Sequence, residues 1–117
     1  MKTYLQFLAA IFFLSACSSI NSGLNLEAGK QFRLGGNQKG AFTVLVKNTG
    51  KTPVTISEQP AVGPSVVLGV SQPGDKQTLS FARGSAAVVT NASNNPAKLK
   101  LRIRGSTNLS MGYSPNK

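Results

Sequence analysis

The chain has 117 residues, with 13 Lys and Arg against 3 Asp and Glu, no His, no Trp, a single Cys and a formal net charge of +10. That length suits one folded domain. With Glu27, Glu58 and Asp75 as its acids and one thiol, the chain cannot build a His-based triad, a thiolate zinc centre or a carboxylate calcium cage from its own side chains. No catalytic residue and no metal site are expected, and the composition points away from an enzyme.

From the N-terminus, Met1 and Lys2 give a short positive start, and Tyr4 to Leu14 is apolar apart from Gln6, the layout of a secretory signal peptide. A membrane-spanning helix needs about 20 apolar residues, so this run is too short to be one. It ends in Leu14-Ser15-Ala16-Cys17. These four residues resemble the lipobox of bacterial lipoproteins, a Leu, two small residues and an invariant Cys. The resemblance implies that residues 1–16 are removed, that diacylglycerol is joined to the Cys17 thiol and that the freed amine is commonly acylated. This covalent lipid is the only cofactor-like group expected, and it gives the lone cysteine a role. The alternative is an ordinary signal peptide with a free Cys near its cleavage point. Ser18 in place of Asp resembles lipoproteins sent to the outer membrane of diderm bacteria, and the stretch SSINSG lacks the acidic cluster of surface-exported ones. The periplasmic face of an outer membrane is therefore expected. An inner membrane and the surface of a Gram-positive cell remain open.

Residues 17–30 are rich in Ser, Asn and Gly and read as a lipidated Cys with a flexible tether, leaving residues 31–117 as the domain. From Gln31 on, short alternating runs rich in Val, Ile, Thr, Leu and Phe recur between turn signals, and none keeps helical spacing. Phe42, Val44 and Val46 form one face of a strand over Gly40 to Asn48. Asn48 to Pro53 is a turn cluster, and Val54 to Ser57 follows as a second strand, so the two read as a β-hairpin. Further strands are predicted at 65–70, 77–82, 85–91, 97–104 and 109–113. The pattern is all-β, a sandwich of seven or eight strands.

The stretches NTGKTPVTI (48–56), QPGDKQTLSF (72–81) and VVTNASNNPAKLKLRI (88–103) are similar to immunoglobulin-like bacterial modules. There is no Cys pair or core Trp of the antibody kind. What the resemblance implies is an immunoglobulin-like sandwich, with no particular binding partner.

The most distinctive local pattern runs from Lys98 to Arg104. A period of two places Lys98, Lys100, Arg102 and Arg104 on one face and Leu99, Leu101 and Ile103 on the other. Same-face neighbours stand about 6.6 to 7 Å apart, so the cations form a row on the order of 20 Å long whose fields reinforce one another at physiological salt. Such a row attracts polyanions: anionic lipid headgroups, lipopolysaccharide phosphates or an acidic protein. The alternative is a solvated strand face whose charges blunt a sheet edge against aggregation. Nucleic acid is not an expected partner, because export and the scarcity of exposed aromatic rings oppose it.

Asn91 to Asn95 and Gly105 to Asn108 read as polar turns, and Gly35-Gly36 as a turn with no helix behind it to make a phosphate loop. Asn91-Ala92-Ser93 and Asn108-Leu109-Ser110 match glycosylation acceptors in form. The expected protein is a lipid-anchored, non-enzymatic envelope sandwich that binds an anionic envelope component or an acidic protein through its basic strand. The other expectation is a structural or accessory subunit that docks onto a larger envelope complex through sheet edges and loops. Oligomeric state is left open.

Overall fold

A computed structural model describes residues 19–105 and 109–115; the predicted signal peptide, Cys17 and Ser106 to Asn108 lie outside the described residues. Strands rich in Val, Ile, Leu, Phe and Thr alternate with turns built on Gly, Pro and Asn. They are β1 (Ser19–Leu26), β2 (Lys30–Gly35), β3 (Phe42–Asn48), β4 (Val54–Gln59), β5 (Val66–Ser71), β6 (Lys76–Phe81), β7 (Ala86–Thr90), β8 (Ala97–Gly105) and β9 (Met111–Pro115).

The strands divide into two antiparallel sheets, ordered β1-β8-β3-β6 and β5-β4-β7-β2-β9. Four pairings link the two halves of the chain like nested hairpins: β1 with β8, β2 with β7, β3 with β6 and β4 with β5. This is the wrapping of a double-sheet jelly roll. Between the sheets lie Leu24, Leu26, Phe42, Val44, Val46, Leu99, Leu101 and Ile103 from the first, against Phe32, Leu34, Val54, Ile56, Ala87 and Val89 from the second. Phe42 and Phe81, opposite one another in the ladder, stack with ring centroids 5.1 Å apart.

Two buried asparagines fasten the crossings between sheets at one end. Asn48 donates its Nδ2 hydrogens to the carbonyls of Thr52 and Ser71 and accepts from the amide of Gly50 through Oδ1. Asn91, fully buried, donates to the carbonyls of Leu26, Glu27 and Asn95 and accepts from the amide and hydroxyl of Ser93. A side chain so occupied is no glycosylation acceptor in the folded protein.

The all-β sandwich agrees with the sequence reading, and three finer expectations do not. The first concerns residues 17–30: Ser19–Leu26 is not a tether but β1, paired over its whole length with β8. Its polar composition hides a period of two, with Ile20, Leu24 and Leu26 packed inward or against the core and Ser19, Asn21, Gly23 and Asn25 facing out. Secondly, β3 and β4 are no hairpin. The corner from Asn48 to Pro53 carries the chain from one sheet to the other, because Asn48 and Thr52 are buried there and hold the crossing.

Finally, the strand order is not the immunoglobulin one, which places strands 1, 2, 5 and 4 in one sheet and 3, 6 and 7 in the other. Among the described residues, eight strands follow from Lys30 onward, within the expected seven or eight, and β1 adds a ninth. Periodicity marks which face of a strand is apolar, whereas partner choice depends on contacts between residues as distant as Ser19 and Arg104.

Candidate functional site: a basic sheet face

Lys98, Lys100, Arg102 and Arg104 are exposed, and Ala97, Leu99, Leu101 and Ile103 between them are buried. The predicted row therefore exists as one face of β8. Its setting differs from the edge considered above, because β8 lies between β1 and β3 with both ladders satisfied. Charges on an interior strand do nothing to blunt an edge.

The tertiary register adds cations that sequence reasoning did not join to this row. Lys47 of β3 stands opposite Lys100 on one side and opposite Lys76 of β6 on the other. Lys100, Lys47 and Lys76 thus form a second row across three strands, at right angles to the first. Each of the three is exposed. The sequence did show Lys47 facing away from Val44 and Val46, but it held no sign of which strands would flank β3. Lys51 lies in the β3–β4 corner, where it lines a hollow with Lys98, Gly50, Pro96 and the acid Glu27. Arg83 sits in the β6–β7 turn, outside the sheet face.

Directly opposed side chains in an antiparallel ladder have Cβ atoms about 4.5 to 5.5 Å apart, and like charges there destabilise the pair. The rest of the face does not offset this. Opposite the β8 cations, β1 contributes Asn25, Gly23, Asn21 and Ser19, and β3 adds Leu45 and Thr43. The acids stand at the rim or beyond it: Glu27 just past β1 in the hollow it shares with Lys98, Glu58 in β4 of the other sheet, and Asp75 in the turn before β6, where its carboxylate accepts from the amide of Gln72.

Because Gly23 has no side chain, the face is hollowed beside Lys100. A shallow open depression of about 480 Å³ is lined there by Asn21, Leu45, Lys47, Lys76, Lys100 and Arg102. It combines a half-buried apolar floor at Leu45, an amide and four cations. That chemistry suits phosphate oxygens spread over a surface and offers no enclosed pocket for a small metabolite.

The opposite face of the molecule differs in kind. The outer side of the five-stranded sheet carries Thr55, Val67, Val70 and Thr90, with Arg33 on β2. Its β5 is an edge strand with exposed Val66, Val67, Leu68 and Val70.

Other candidates are absorbed by the fold. Gly35 and Gly36 have positive φ of 88° and 101°, and the Gly36 amide donates to Oε1 of Gln38 at 2.7 Å, so this turn is closed on itself. Asn91 to Asn95 is likewise tied up in its own hydrogen bonds. Cys17 and Ser106 to Asn108 lie outside the described residues. Among the described residues, no group of three or more His, Cys, Asp or Glu comes together.

The chain is thus defined as a jelly-roll sandwich with one basic outer face. No family model matches it, and no curated protein matches it. Solved structures do. Drosophila melanogaster CENP-C bound to CAL1 aligns with a TM-score of 0.52 and 14% identity, over 73% of this chain and 60% of that one. The mitogen derived from Yersinia pseudotuberculosis aligns with a TM-score of 0.52 and 10% identity, over 79% of this chain and 89% of that one. This chain thus spans less than two thirds of the CENP-C chain and most of the mitogen. At such identities the likeness is one of fold.

Proposed function

We propose that this protein is a non-enzymatic, lipid-anchored component of a bacterial envelope whose basic sheet face binds a phosphate-bearing anionic surface. The anchor is the lipidated Cys17 implied by the lipobox resemblance. The periplasmic side of an outer membrane is the place its Ser18 favours. One observation carries the binding reading: Lys100, Lys47 and Lys76 stand directly opposed across three strands, with no acid paired to any of them in the ladders.

A face selected for solubility alone would gain stability from Glu at the middle position, whereas a ligand rich in phosphate turns the mutual repulsion into attraction. Each Lys or Arg near an anionic membrane surface contributes about 1 kcal/mol, so the four cations on β8 supply about 4 kcal/mol, enough for binding in the millimolar range without any pocket.

The test is a salt series with the chain from Ser18 to Lys117 on neutral vesicles, anionic vesicles and lipopolysaccharide. Binding to the anionic surfaces alone, lost as salt rises, is the expected result. Replacement of Lys98, Lys100, Arg102 and Arg104 by Glu should abolish it. Equal binding by that variant would reduce the row to a solvated strand face.

The exposed edge of β5 favours a second reading, an accessory subunit that docks by sheet edge onto a larger envelope complex. Among the described residues no strand pairs with its outer side, and Val66 to Val70 carry no charge. A photo-crosslinker at Val67 that captures one stoichiometric protein in high salt, and fails to do so after Leu68→Lys, would support that reading. Capture by a crosslinker at Thr43 on the basic face instead would oppose it.

A further inference from the structure

The position of β1 decides how the basic face stands relative to the lipid. Only two residue steps separate Cys17 from Ser19, and a chain spans at most about 3.3 to 3.6 Å per residue, so the lipidated position lies within roughly 7 Å of Ser19. Ser19 is the ladder partner of Arg104. The lipid therefore leaves from a corner of the basic face, on the edge strand of the same sheet, with no tether to carry the domain away. We infer that the sandwich lies with its four-stranded sheet flat against the membrane that holds its own lipid, the six cations Lys47, Lys76, Lys98, Lys100, Arg102 and Arg104 resting on anionic headgroups.

This inference rests on the lipidation of Cys17 proposed above, and it names the surface that the face binds. A short linker makes the second contact intramolecular and raises the effective headgroup concentration into the millimolar range, so weak affinity of the face suffices. An upright posture is the competing geometry. The loops at the Arg104 end would then meet the bilayer, presenting Lys39, Arg83 and Val62, which is 89% exposed. Flat contact engages twice as many cations as Arg104 with those two, and the acids Glu27 and Asp75 stay in turns at its rim. With the basic face down, the opposite sheet and the β5 edge face away from the bilayer, where other envelope components can reach them.

The experiment uses the full lipidated protein in vesicles of phosphatidylcholine, with or without phosphatidylglycerol. A bimane is attached after one of three substitutions at exposed positions: Thr78→Cys on the basic face, Val67→Cys on the opposite sheet, or Val62→Cys in the upright loop. A thioether at Cys17 leaves only the introduced thiol to label. Incorporation of labelled glycerol, lost in Cys17→Ser, reports the anchor separately. With phosphatidylglycerol present, headgroup-nitroxide lipids should quench the Thr78 probe several-fold more than the Val67 probe. The difference should collapse in high salt, in phosphatidylcholine alone and in Lys100→Glu/Arg102→Glu. Glycerol at Cys17 with strongest quenching at Val62, or equal quenching at Thr78 and Val67, overturns the flat orientation while the anchor stands. No glycerol at Cys17 overturns both.

Discussion

Lys47 faces Lys100 across one ladder and Lys76 across the other, so it bears the repulsion of both. Lys47→Glu replaces two unfavourable pairs by two favourable ones. It should raise stability in urea by up to about 1 kcal/mol while weakening binding to anionic vesicles. Such opposite movement of stability and binding marks a position kept for a ligand. Asn91→Ala removes a donor from the carbonyls of Leu26, Glu27 and Asn95 in a buried corner, where Glu27 keeps only the Lys30 amide and Asn95 only the Ser93 hydroxyl. The expected cost is about 2 to 3 kcal/mol, read as a lower urea midpoint at unchanged slope.

Ser71 shows the reverse case: its buried hydroxyl has no hydrogen-bond partner among the described residues. Ser71→Ala should therefore be neutral or stabilising by about 1 kcal/mol, measured in the same way. Gly105 has a φ of +97°, and a Cβ there would lie 2.8 Å from the Ala41 carbonyl oxygen. The last position of β8 thus admits no other residue without strain.

Among the elements, β8 couples fold and site most directly. Its inward residues Leu99, Leu101 and Ile103 are buried under the opposite sheet, and its outward residues carry the charge row. Leu101→Ala should cost about 2 to 5 kcal/mol of stability, whereas Lys100→Gln should change stability by less than about 0.5 kcal/mol and weaken binding. Thermal unfolding and vesicle sedimentation separate the two effects. The pairing of β1 with β8 explains why the basic strand cannot be an edge, a point its own sequence does not reveal.

At the opposite side of the molecule, β5 keeps an open, uncharged edge interrupted by a bulge at Leu68, where the register slips between Ile56 and Ser57 of its partner β4. The bulge and the Pro residues at positions 60, 64 and 73 are the guards of this edge. Val67→Lys should slow aggregation at high protein concentration, followed by light scattering, with little loss of stability.

On the scale of the whole molecule, charge and apolar surface are segregated. One outer face is basic, and the other is largely neutral with an apolar edge. The excess of cations was legible from composition, as were the alternation of β8 and the inward faces of β3 and β4, because each is a local property with a period of two. The proposed export signal and lipid site rest on the lipobox resemblance of Leu14 to Cys17. Two things were hidden. The strand β1 was masked by Ser, Asn and Gly, residues that favour turns in isolation but here are held by a full ladder with β8. Lys47 and Lys76 could not be joined to the row, since they lie 53 and 24 residues from Lys100 in the chain and meet it only through β3 and β6.

By itself, then, the sequence determined an all-β sandwich, a strongly basic surface and a row of four cations on one strand, since alternation and composition act within a few residues. The tertiary structure alone decided that the chain wraps as a jelly roll rather than in immunoglobulin order, that the basic strand is interior, and that its row widens into a face beside the start of β1. Those outcomes depend on which strands pair, and pairing is settled by the burial of two apolar faces at once, an energy shared across the whole chain and written in no single segment.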